Sequence, residues 1–496
     1  MLRFLHTISI LFKYSIIYLL LKLGLYKKPK QKILRNFFEQ AGGSFIKFGQ
    51  LLALRVDVLP KEFALEMIGL FDSVKPFPYD QVERTFLQEL GAVPQKIFKD
   101  FQKKPFASAS FGQVHGAKLE NDHIVAVKVM RPGIIEEVSV DFLMIDFLAF
   151  VADLFFKIDA LPWKEFAKEF KKWTMEELDY QIEAGYMEKM YKNVSVNKNV
   201  VIPKVYGHLS TKKILVEDYI EGIPLSRVLI GLKDGRLNAE KLHSMGVNLK
   251  KITSVITYEL LREFFMDDLF HADPHPGNVL ILKNDKIALL DFGIMGKPIT
   301  HNKFSFAKSF ESGVKGDIIE GIYHFANFSS EELKNIIGSA LPASTSQDNV
   351  EEMMNILSKH FGETVFKIIA AGKENLTTMK TDYVVVLLTL IKAGQKYKVR
   401  LPSETIRFVR TLSIIGFLAK ELNYEYKLTQ ELKNFLIKHP IDTFTNKDDH
   451  ISPFKRINRE KAIEQLNGWL SYLVEIDPAL YQLVKEKLKE YNSIER

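Results

Sequence analysis

Three polar side chains in the middle of the sequence stand at a spacing that suits phosphoryl transfer. The segment His271-Ala-Asp273-Pro-His275-Pro-Gly-Asn278 is followed, thirteen residues after the asparagine, by Asp291-Phe-Gly. Transfer from ATP needs a carboxylate beside the acceptor, a second carboxylate on the metal ion and an amide oxygen that completes the metal shell. Asp273, Asp291 and Asn278 supply these groups, so we predict a site for ATP and Mg²⁺ where two loops and a short hairpin meet.

A lysine at the end of a predicted strand is the candidate for holding the phosphates. Lys128 ends the run Val125-Ala-Val-Lys128. The segment from Ala107 to Val114 has the spacing of the kinase glycine-rich loop, G-x-G-x-x-G-x-V, with alanine at its first two glycine positions. Because a Cβ atom keeps the backbone further from a phosphate, we expect nucleotide binding to differ from that of an ordinary protein kinase. The predicted loop contacts are Ala107, Ser108, Ala109, Ser110, Phe111, Gly112, Gln113 and Val114.

The elements that must position these residues follow from the hydrophobic pattern. Ile124–Val129 and Lys213–Ile220 predict strands, and Val279–Leu282 with Lys286–Leu290 predict strands around a turn at Asn284-Asp285. Helical periodicity dominates elsewhere, so we predict an α+β fold with a small strand-rich lobe and a large helical lobe. The predicted segments are a leader (1–40), an N-terminal extension (41–105), a small lobe with a helical insertion (106–218), a helical lobe (219–430) and a helical tail (431–496).

Composition excludes several classes of protein. The 496 residues include no cysteine, which rules out disulfides, thiolate metal sites and a cysteine nucleophile. The net charge of +7 is concentrated in residues 1–40, which hold eight basic residues and one acidic residue, so the other 456 residues are balanced. A nucleic-acid-binding protein usually spreads its basic residues over the binding face, and we therefore expect no nucleic-acid partner.

The basic leader is also rich in large apolar residues. Between Lys13 and Lys22 only eight uncharged residues occur, which disfavours a membrane span without excluding one, and no small-residue cleavage site follows. Two interpretations remain equally open. The leader is either a helix that lies on a membrane surface or a helix that packs its apolar side on the protein.

Four motifs together resemble the UbiB/AarF (ADCK) family of atypical kinases. They are Lys47-Phe-Gly49-Gln50, the alanine-rich loop that continues into Gln113-Val114-His115, Glu177-Leu-Asp179 followed by Glu183-Ala184, and the catalytic segments with Asp273 and Asp291. The resemblance covers residues from about 30 to about 425, and the order of the motifs makes it specific.

The resemblance implies a bilobal protein-kinase-like fold with an N-terminal helical extension. It implies that Lys128 pairs with Glu183 and holds phosphates, that Asp273 is the catalytic carboxylate, and that Asn278 and Asp291 bind Mg²⁺. It also implies that a regulatory segment covers the active site, with Lys47 reaching Glu177. The regulatory residues so implied are Lys47, Gln50, Glu177 and Asp179.

The family resemblance also implies partners and a location. It points to ATP-dependent chemistry on an isoprenoid-quinone precursor or another lipid. The other implied partners are a membrane surface, contacted through the leader, and a biosynthetic complex. For a bacterial host we therefore expect a cytoplasmic protein that associates peripherally with the inner membrane through its leader.

Two residues, Glu217 and His275, are not of the types that such a site ordinarily has at these positions. Glu217 and Tyr219 fall in the segment expected to contact adenine, and a carboxylate buried there is costly, so either Glu217 points away or the pocket is unusual. His275 stands where protein kinases keep a lysine. It is either a pH-dependent charge near the γ-phosphate or a loop histidine bonded to the backbone.

The spacing of the motifs predicts an insertion and restricts the class of molecule that could accept the phosphoryl group. Lys128 and Glu183 are 55 residues apart, far more than is usual between this lysine and its glutamate, so we predict inserted helices near Ile134 to Phe170.

No Ala-Pro-Glu segment follows Asp291. A long activation loop is the usual docking surface for a peptide substrate, so its absence favours a small or lipid acceptor, or water.

Three functions remain: a UbiB-type kinase or ATPase, a nucleotide-binding scaffold or lipid-extracting pseudokinase, and an aminoglycoside- or choline-kinase-like enzyme.

Overall fold

The computed structural model divides the chain into two compact units. The first comprises Met1–Val255 with His271–Met295, and the second comprises Ile256–Phe270 with Gly296–Arg496. The structure describes residues 2–27, 29–53, 63, 66, 76–108, 111–155, 163–267, 269–298, 303–317, 320–321, 324, 331–341, 346–357, 359, 403–444, 460, 462–464, 466–467, 470 and 478–493.

Within the described residues the chain is mixed α+β and mostly helical. The helices in chain order are α1 (Leu2–Lys22), α2 (Lys30–Ala41), α3 (Ser44–Ala53), α4 (Tyr79–Leu90), α5 (Pro94–Ile97), α6 (Ile134–Phe155), α7 (Trp163–Glu177), α8 (Tyr180–Asn193), α9 (Leu225–Lys233), α10 (Ala239–Ser244), α11 (Leu249–Phe265), α12 (Lys303–Lys315), α13 (Glu331–Ala340), α14 (Ser403–Leu422), α15 (Leu428–Lys438) and α16 (Pro478–Ser493).

The strands are short and belong to small sheets. In chain order they are β1 (Asp100–Phe101), β2 (Ala107–Ser108), β3 (Gly112–Lys118), β4 (Ile124–Met130), β5 (Val200–Val201), β6 (Ile214–Asp218), β7 (Ile223–Pro224), β8 (Phe270–His271), β9 (Val279–Ile281), β10 (Ile287–Leu289) and β11 (Met295–Gly296). The four strands predicted from hydrophobic pattern correspond to β4, β6, β9 and β10, so those predictions are confirmed.

The first sheet separates an apolar core from the face that carries polar chemistry. Its order is β1-β3-β4-β6, all antiparallel, with β2 also paired to β3. Val125, Val127 and Val129 are fully buried in a core that includes Phe86 of α4. Because successive residues of a strand point to opposite faces, Ala126 and Lys128 lie on the other face.

A second sheet positions the loops that bear the predicted catalytic residues. Its order is β5-β10-β9-β7, with β10 parallel to β5 and antiparallel to β9. The predicted turn between β9 and β10 is present, and both Asn284 and Asp285 adopt left-handed backbone conformations with φ near 60°. Asn and Asp tolerate this conformation better than other non-glycine residues, which explains why they occur at the turn.

The inserted helices predicted between Lys128 and Glu183 are present as α6 and α7. Helix α8 then begins at an N-cap aspartate, Asp179, whose carboxylate accepts a hydrogen bond from Gln181 N at 3.0 Å. The insertion therefore delivers Glu183, in the first turn of α8, to the polar face of the first sheet.

The second unit is organised around aromatic side chains. Phe264 and Phe265 at the end of α11 contact Phe306 of α12 and Phe408 of α14 with ring centroids 3.5 to 6.4 Å apart. A separate apolar cluster joins α13, the helical residues 347–357 and Val484 of α16. These contacts bury large apolar surfaces, which is the main favourable contribution to folding.

Candidate active site

Strand β4 and helix α8 together fix Lys128. Its Nζ donates to both carboxylate oxygens of Glu183 at 2.9 Å and lies 3.8 Å from a carboxylate oxygen of Asp291. Burial alone would lower the pKa of Lys128, but the carboxylates of Asp291 and Glu183 raise it well above its ordinary value. The lysine is therefore held as a cation, and the pairing with Glu183 that the family resemblance implied is present.

Asp291 is ionised and held in a strained backbone conformation. Burial by itself would raise its pKa, but Lys128 and Lys47 outweigh that effect and lower the pKa to about 2. Its φ of 57° is left-handed, which for a residue other than glycine marks a conformation maintained by the surrounding structure. The carboxylate also accepts a hydrogen bond from Gly293 N at 3.2 Å.

The loop between β8 and β9 carries the other two predicted catalytic groups. Asn278 Nδ2 donates to the Asp273 carbonyl at 3.3 Å, which ties the two residues together and leaves the amide oxygen for another partner. The Asp273 amide donates to His271 Nδ1 at 3.3 Å. The Asp273 side chain is buried, and within the described part of the chain its Oδ1 atom has no hydrogen-bond partner. A buried carboxylate oxygen of this kind is suited to accept a proton or hydrogen bond from a bound molecule.

His275 is tied to the backbone of its own loop. Its Nδ1 accepts a hydrogen bond from Gly277 N at 3.0 Å, and its amide donates to the Asp273 carbonyl at 2.7 Å. Of the two interpretations of this histidine, the contacts favour a loop residue bonded to the backbone.

Lys47 reaches the same site from the N-terminal helices. Its Nζ lies 3.0 and 2.9 Å from the two carboxylate oxygens of Glu177, and the two side chains are only 11% and 12% exposed. Burial would lower the pKa of Lys47, but Glu177, Asp273 and Asp291 raise it. Helix α3 and the end of α7 therefore place an ion pair within electrostatic reach of both predicted catalytic carboxylates.

The other two predicted regulatory residues have different placements. Asp179 caps α8 and lies 3.8 Å from Lys212 Nζ, which is a structural task. Gln50 belongs to α3, but its side chain lies outside the described residues. The regulatory roles of both residues stay predictions.

The described residues of the alanine-rich loop belong mainly to two strands. Ala109 and Ser110 lie outside the described residues, while Ala107 and Ser108 form β2 and residues from Gly112 onward form β3. The Gln113 amide is buried and bonds both the amide and the carbonyl of Phe77, at 2.8 and 3.3 Å. The Gln113 side chain therefore fastens the N-terminal extension to the sheet instead of being available to a nucleotide.

Tyr180 is a site residue that the sequence analysis missed. Its buried ring lies 5.0 Å from Lys128 Nζ, a cation–π distance. A Cβ atom at Gly112 would stand 2.6 Å from the Tyr180 hydroxyl and 2.7 Å from the Val129 carbonyl, so this position of the loop requires glycine. The only signal in the sequence was the position of Tyr180 immediately after Asp179.

The register of β6 indicates that Glu217 does not point away from the predicted nucleotide pocket, which favours the alternative that the pocket is unusual. Glu217 pairs with Ala126, and Lys128 pairs with Leu215, so Glu217 shares the polar face of the sheet with Lys128. Burial, reinforced by Glu183 and opposed by Lys128, raises the pKa of Glu217 to about 8. Tyr219 is 44% exposed and contacts the Phe106 ring edge-on, with centroids 5.6 Å apart.

The donor set fits a magnesium nucleotide. Two protein ligands plus phosphate oxygens are what Mg²⁺ usually takes in phosphoryl-transfer sites, and Asn278 with ionised Asp291 supplies an amide and a carboxylate. In the described part of the chain no group of three or more His, Asp or Glu side chains forms a protein-only metal site. The unpartnered Asp273 oxygen and two buried cations complete an environment suited to a polyphosphate.

Comparisons with known proteins identify the family of this chain. Residues 69–322 match the family model described as the ABC1 atypical kinase-like domain. The chain is 30% identical over 394 residues, 79% of its length, to a Clostridium pasteurianum protein described as an uncharacterised protein in the hydrogenase 1 5′ region, of which the match covers 68%. A solved Mycobacterium tuberculosis protein in complex with erythromycin is similar over 88% of this chain and 100% of its own, with 18% identity and a TM-score of 0.48.

Proposed function

The chain belongs to the family of ABC1 atypical kinase-like domains, and from that premise we propose that it is an ATP- and Mg²⁺-dependent kinase or ATPase of the UbiB type. The observation that carries the proposal is that the Lys128 Nζ atom lies within 4 Å of carboxylate oxygens of both Glu183 and Asp291. Replacement of a buried ion pair by well-packed apolar residues is often neutral or stabilising, so we attribute this largely buried lysine between two carboxylates to the binding of an anion and not to stability.

Each residue has a role that its contacts support. Lys128, oriented by Glu183 and by the ring of Tyr180, binds phosphate oxygens. Asn278 and Asp291 would hold Mg²⁺, which supplies neutralisation of the phosphate charge when bound. The free oxygen of Asp273 orients the acceptor hydroxyl or a water molecule and accepts its proton.

We propose an isoprenoid-quinone precursor or another lipid as the acceptor, with water as the alternative. Asp273 and Asp291 both raise the pKa of Lys47, so the largely buried Lys47–Glu177 pair lies near the catalytic carboxylate, and we take this pair to disfavour a folded peptide segment as the acceptor. A small or extended acceptor is compatible with this geometry. Participation in a biosynthetic complex belongs to the same proposal.

A nucleotide-binding scaffold or lipid-extracting pseudokinase is the second candidate. It is favoured by the Lys47–Glu177 pair, in which a protein carboxylate already neutralises Lys47, and by the alanines of the loop. An aminoglycoside- or choline-kinase-like activity is less well supported because the Lys47 and Glu177 motifs have no task in it.

Nucleotide binding and turnover distinguish these functions. We expect the purified protein to bind Mg²⁺-ATP in calorimetry and to release inorganic phosphate in a malachite-green assay, faster with anionic vesicles than without them. Binding without phosphate release under both conditions would favour the scaffold. Absence of nucleotide binding would contradict both proposals.

Helix α1 supports association with a membrane surface. It is the one helix in the described residues with the length and apolar composition of a span, over Arg3–Lys22. Ile10 and Thr7 are buried, but most of its large apolar side chains are exposed. They are Phe4, Leu5, Ile8, Phe12, Ile16 and Leu19. Lysines 13 and 22 flank this surface and favour anionic lipid.

A double substitution in α1 tests this association. Phe12→Ser with Leu19→Ser is expected to reduce flotation with phosphatidylglycerol-containing vesicles by about tenfold or more, because each buried apolar side chain contributes about 1.5–3 kcal/mol. Val196→Ser, at an equally exposed apolar residue outside α1, is the matched control and should float like the unmodified protein. Unchanged flotation of the double variant would refute the assignment of α1 to the membrane.

A further inference from the structure

Glu217 is a carboxylic acid in a position where the proposed function requires a nucleobase. It is half-buried at the end of β6, and among the described residues its side chain has no hydrogen-bond or ion-pair partner. A half-buried carboxyl without a partner is costly, so such a group is retained where a ligand completes its hydrogen bonds.

The direction in which a nucleotide must extend from Lys128 follows from the strand register. Residues two apart on one strand are about 6.8 Å apart, which is comparable to the step from a nucleotide's phosphates to its base. Towards Gly112, the cleft face of the sheet is filled by the buried ring of Tyr180. Towards Ala126, the next pair on the same face is Ala126 with Glu217.

The surroundings of Ala126 have the character of a base pocket. On β3, Gly116 pairs with Ala126 and has the Gln102 side chain beside it, while Val114 pairs with Lys128 and is half-buried. Phe106 donates its amide to the Val114 carbonyl and is 52% exposed. Phe106 also contacts Tyr219 at the rim. Apolar side chains with one precisely placed polar group are typical of sites that bind a flat heterocycle.

Resting on the proposed function, we propose that Glu217 is the residue that selects the nucleobase, by hydrogen bonding to the amino-bearing edge of adenine. A neutral carboxylic acid presents one donor and one acceptor, as glutamine does, and this pair matches the N6 amino group and the N7 acceptor of adenine. The corresponding edge of guanine presents two acceptors, so the same side chain makes one hydrogen bond fewer with GTP.

The electrostatic environment keeps this acid neutral near pH 7. Burial raises the pKa of Glu217 to about 8, with Glu183 of α8, Asp291 after β10 and the neighbouring Asp218 adding to the increase and Lys128 of β4 opposing it. Below that pH the neutral acid can donate a hydrogen bond, and above it the carboxylate has no donor. The affinity for ATP should therefore fall as the pH rises through 8.

The test compares base preference in three proteins and a control. We expect Glu217→Met to bring the dissociation constants for Mg²⁺-ATP and Mg²⁺-GTP within about threefold of each other, whereas the unmodified protein prefers ATP by about tenfold or more. Glu217→Gln should retain the preference and lose its pH dependence between pH 7 and 9. Glu221→Met, the same change at an exposed glutamate nearby, should leave the preference intact.

The possible outcomes separate this inference from the proposed function. Removal of a half-buried acid that has no partner among the described residues should raise the thermal midpoint of Glu217→Met, so loss of preference with retained folding assigns the effect to recognition. An unchanged ATP preference in Glu217→Met would overturn the inference while leaving the proposed function intact. If the unmodified protein binds neither nucleotide, the proposed function fails and the inference fails with it.

Discussion

Replacement of Asp291 by asparagine is expected to reduce phosphate release by about 10²- to 10³-fold at saturating ATP, a loss typical for removal of one group that stabilises developing charge. The substitution removes the only ionised ligand among the two residues predicted to hold Mg²⁺. It also removes one of the two carboxylates that raise the pKa of Lys128.

Asparagine is the appropriate replacement for a structural reason. Asp291 has a φ of 57°, and asparagine tolerates left-handed backbone better than alanine does, so the loop should keep its conformation. Phosphate release is measured by the malachite-green assay across a range of Mg²⁺ concentrations. Excess Mg²⁺ should restore only part of the rate, because the asparagine amide is a neutral and weaker ligand.

A surface substitution of the same type provides the control. Asp234→Asn changes an exposed aspartate that contacts Arg236 and should release phosphate at the unmodified rate. If Asp291→Asn turns over ATP as fast as Asp234→Asn does, the assignment of Asp291 as a metal ligand is wrong.

Replacement of Asp141 by alanine is expected to destabilise the first unit by about 3–5 kcal/mol, the usual cost of breaking a buried charged pair. Asp141 is completely buried in α6, where it accepts hydrogen bonds from Arg3 Nε at 2.8 Å and Arg3 Nη2 at 2.9 Å. It also accepts the Ser44 amide at 3.0 Å at the start of α3. Its loss removes the acceptor of Arg3 Nε and of the Ser44 amide, while Arg3 Nη2 keeps only the Gly42 carbonyl.

The measurement is urea unfolding followed by the fluorescence of the buried Trp173 in α7. Asp80→Ala, in the exposed pair with Arg84, is the control and should change stability by about 1 kcal/mol or less. Arg3→Met should destabilise the protein like Asp141→Ala, since it leaves the buried carboxylate without its cation. Equal stability of the Asp141 and Asp80 variants would contradict the importance of this contact.

The same contact joins α1, the helix that we propose lies on a membrane surface, to the candidate active site. Arg3 also donates to the carbonyls of Ala41 and Gly42, at the end of α2, and Ser44 begins the helix that carries Lys47. A displacement of α1 would therefore be transmitted to the Lys47–Glu177 pair through one buried carboxylate.

The sequence by itself determined the chemical groups and the elements that hold them in short segments. Asp273, Asn278 and Asp291 lie within nineteen residues around one hairpin, so local spacing was sufficient to bring them together. The strands β4, β6, β9 and β10 and the inserted helices followed from hydrophobic periodicity, which is a local property of the chain. The pairing of Lys128 with Glu183 followed from the family resemblance.

Only the tertiary structure decided which side chains surround those groups. Whether Glu217 faces the cleft depends on the register of β6 against β4, where a shift of one residue would turn the carboxyl to the apolar core. The contact of Tyr180 with Lys128 and the bond between Arg3 and Asp141, 138 residues apart, likewise depend on packing between distant elements. The sequence specifies what each residue can do, but burial and long-range contacts set its charge state and its partner, because both depend on atoms that are distant in the chain.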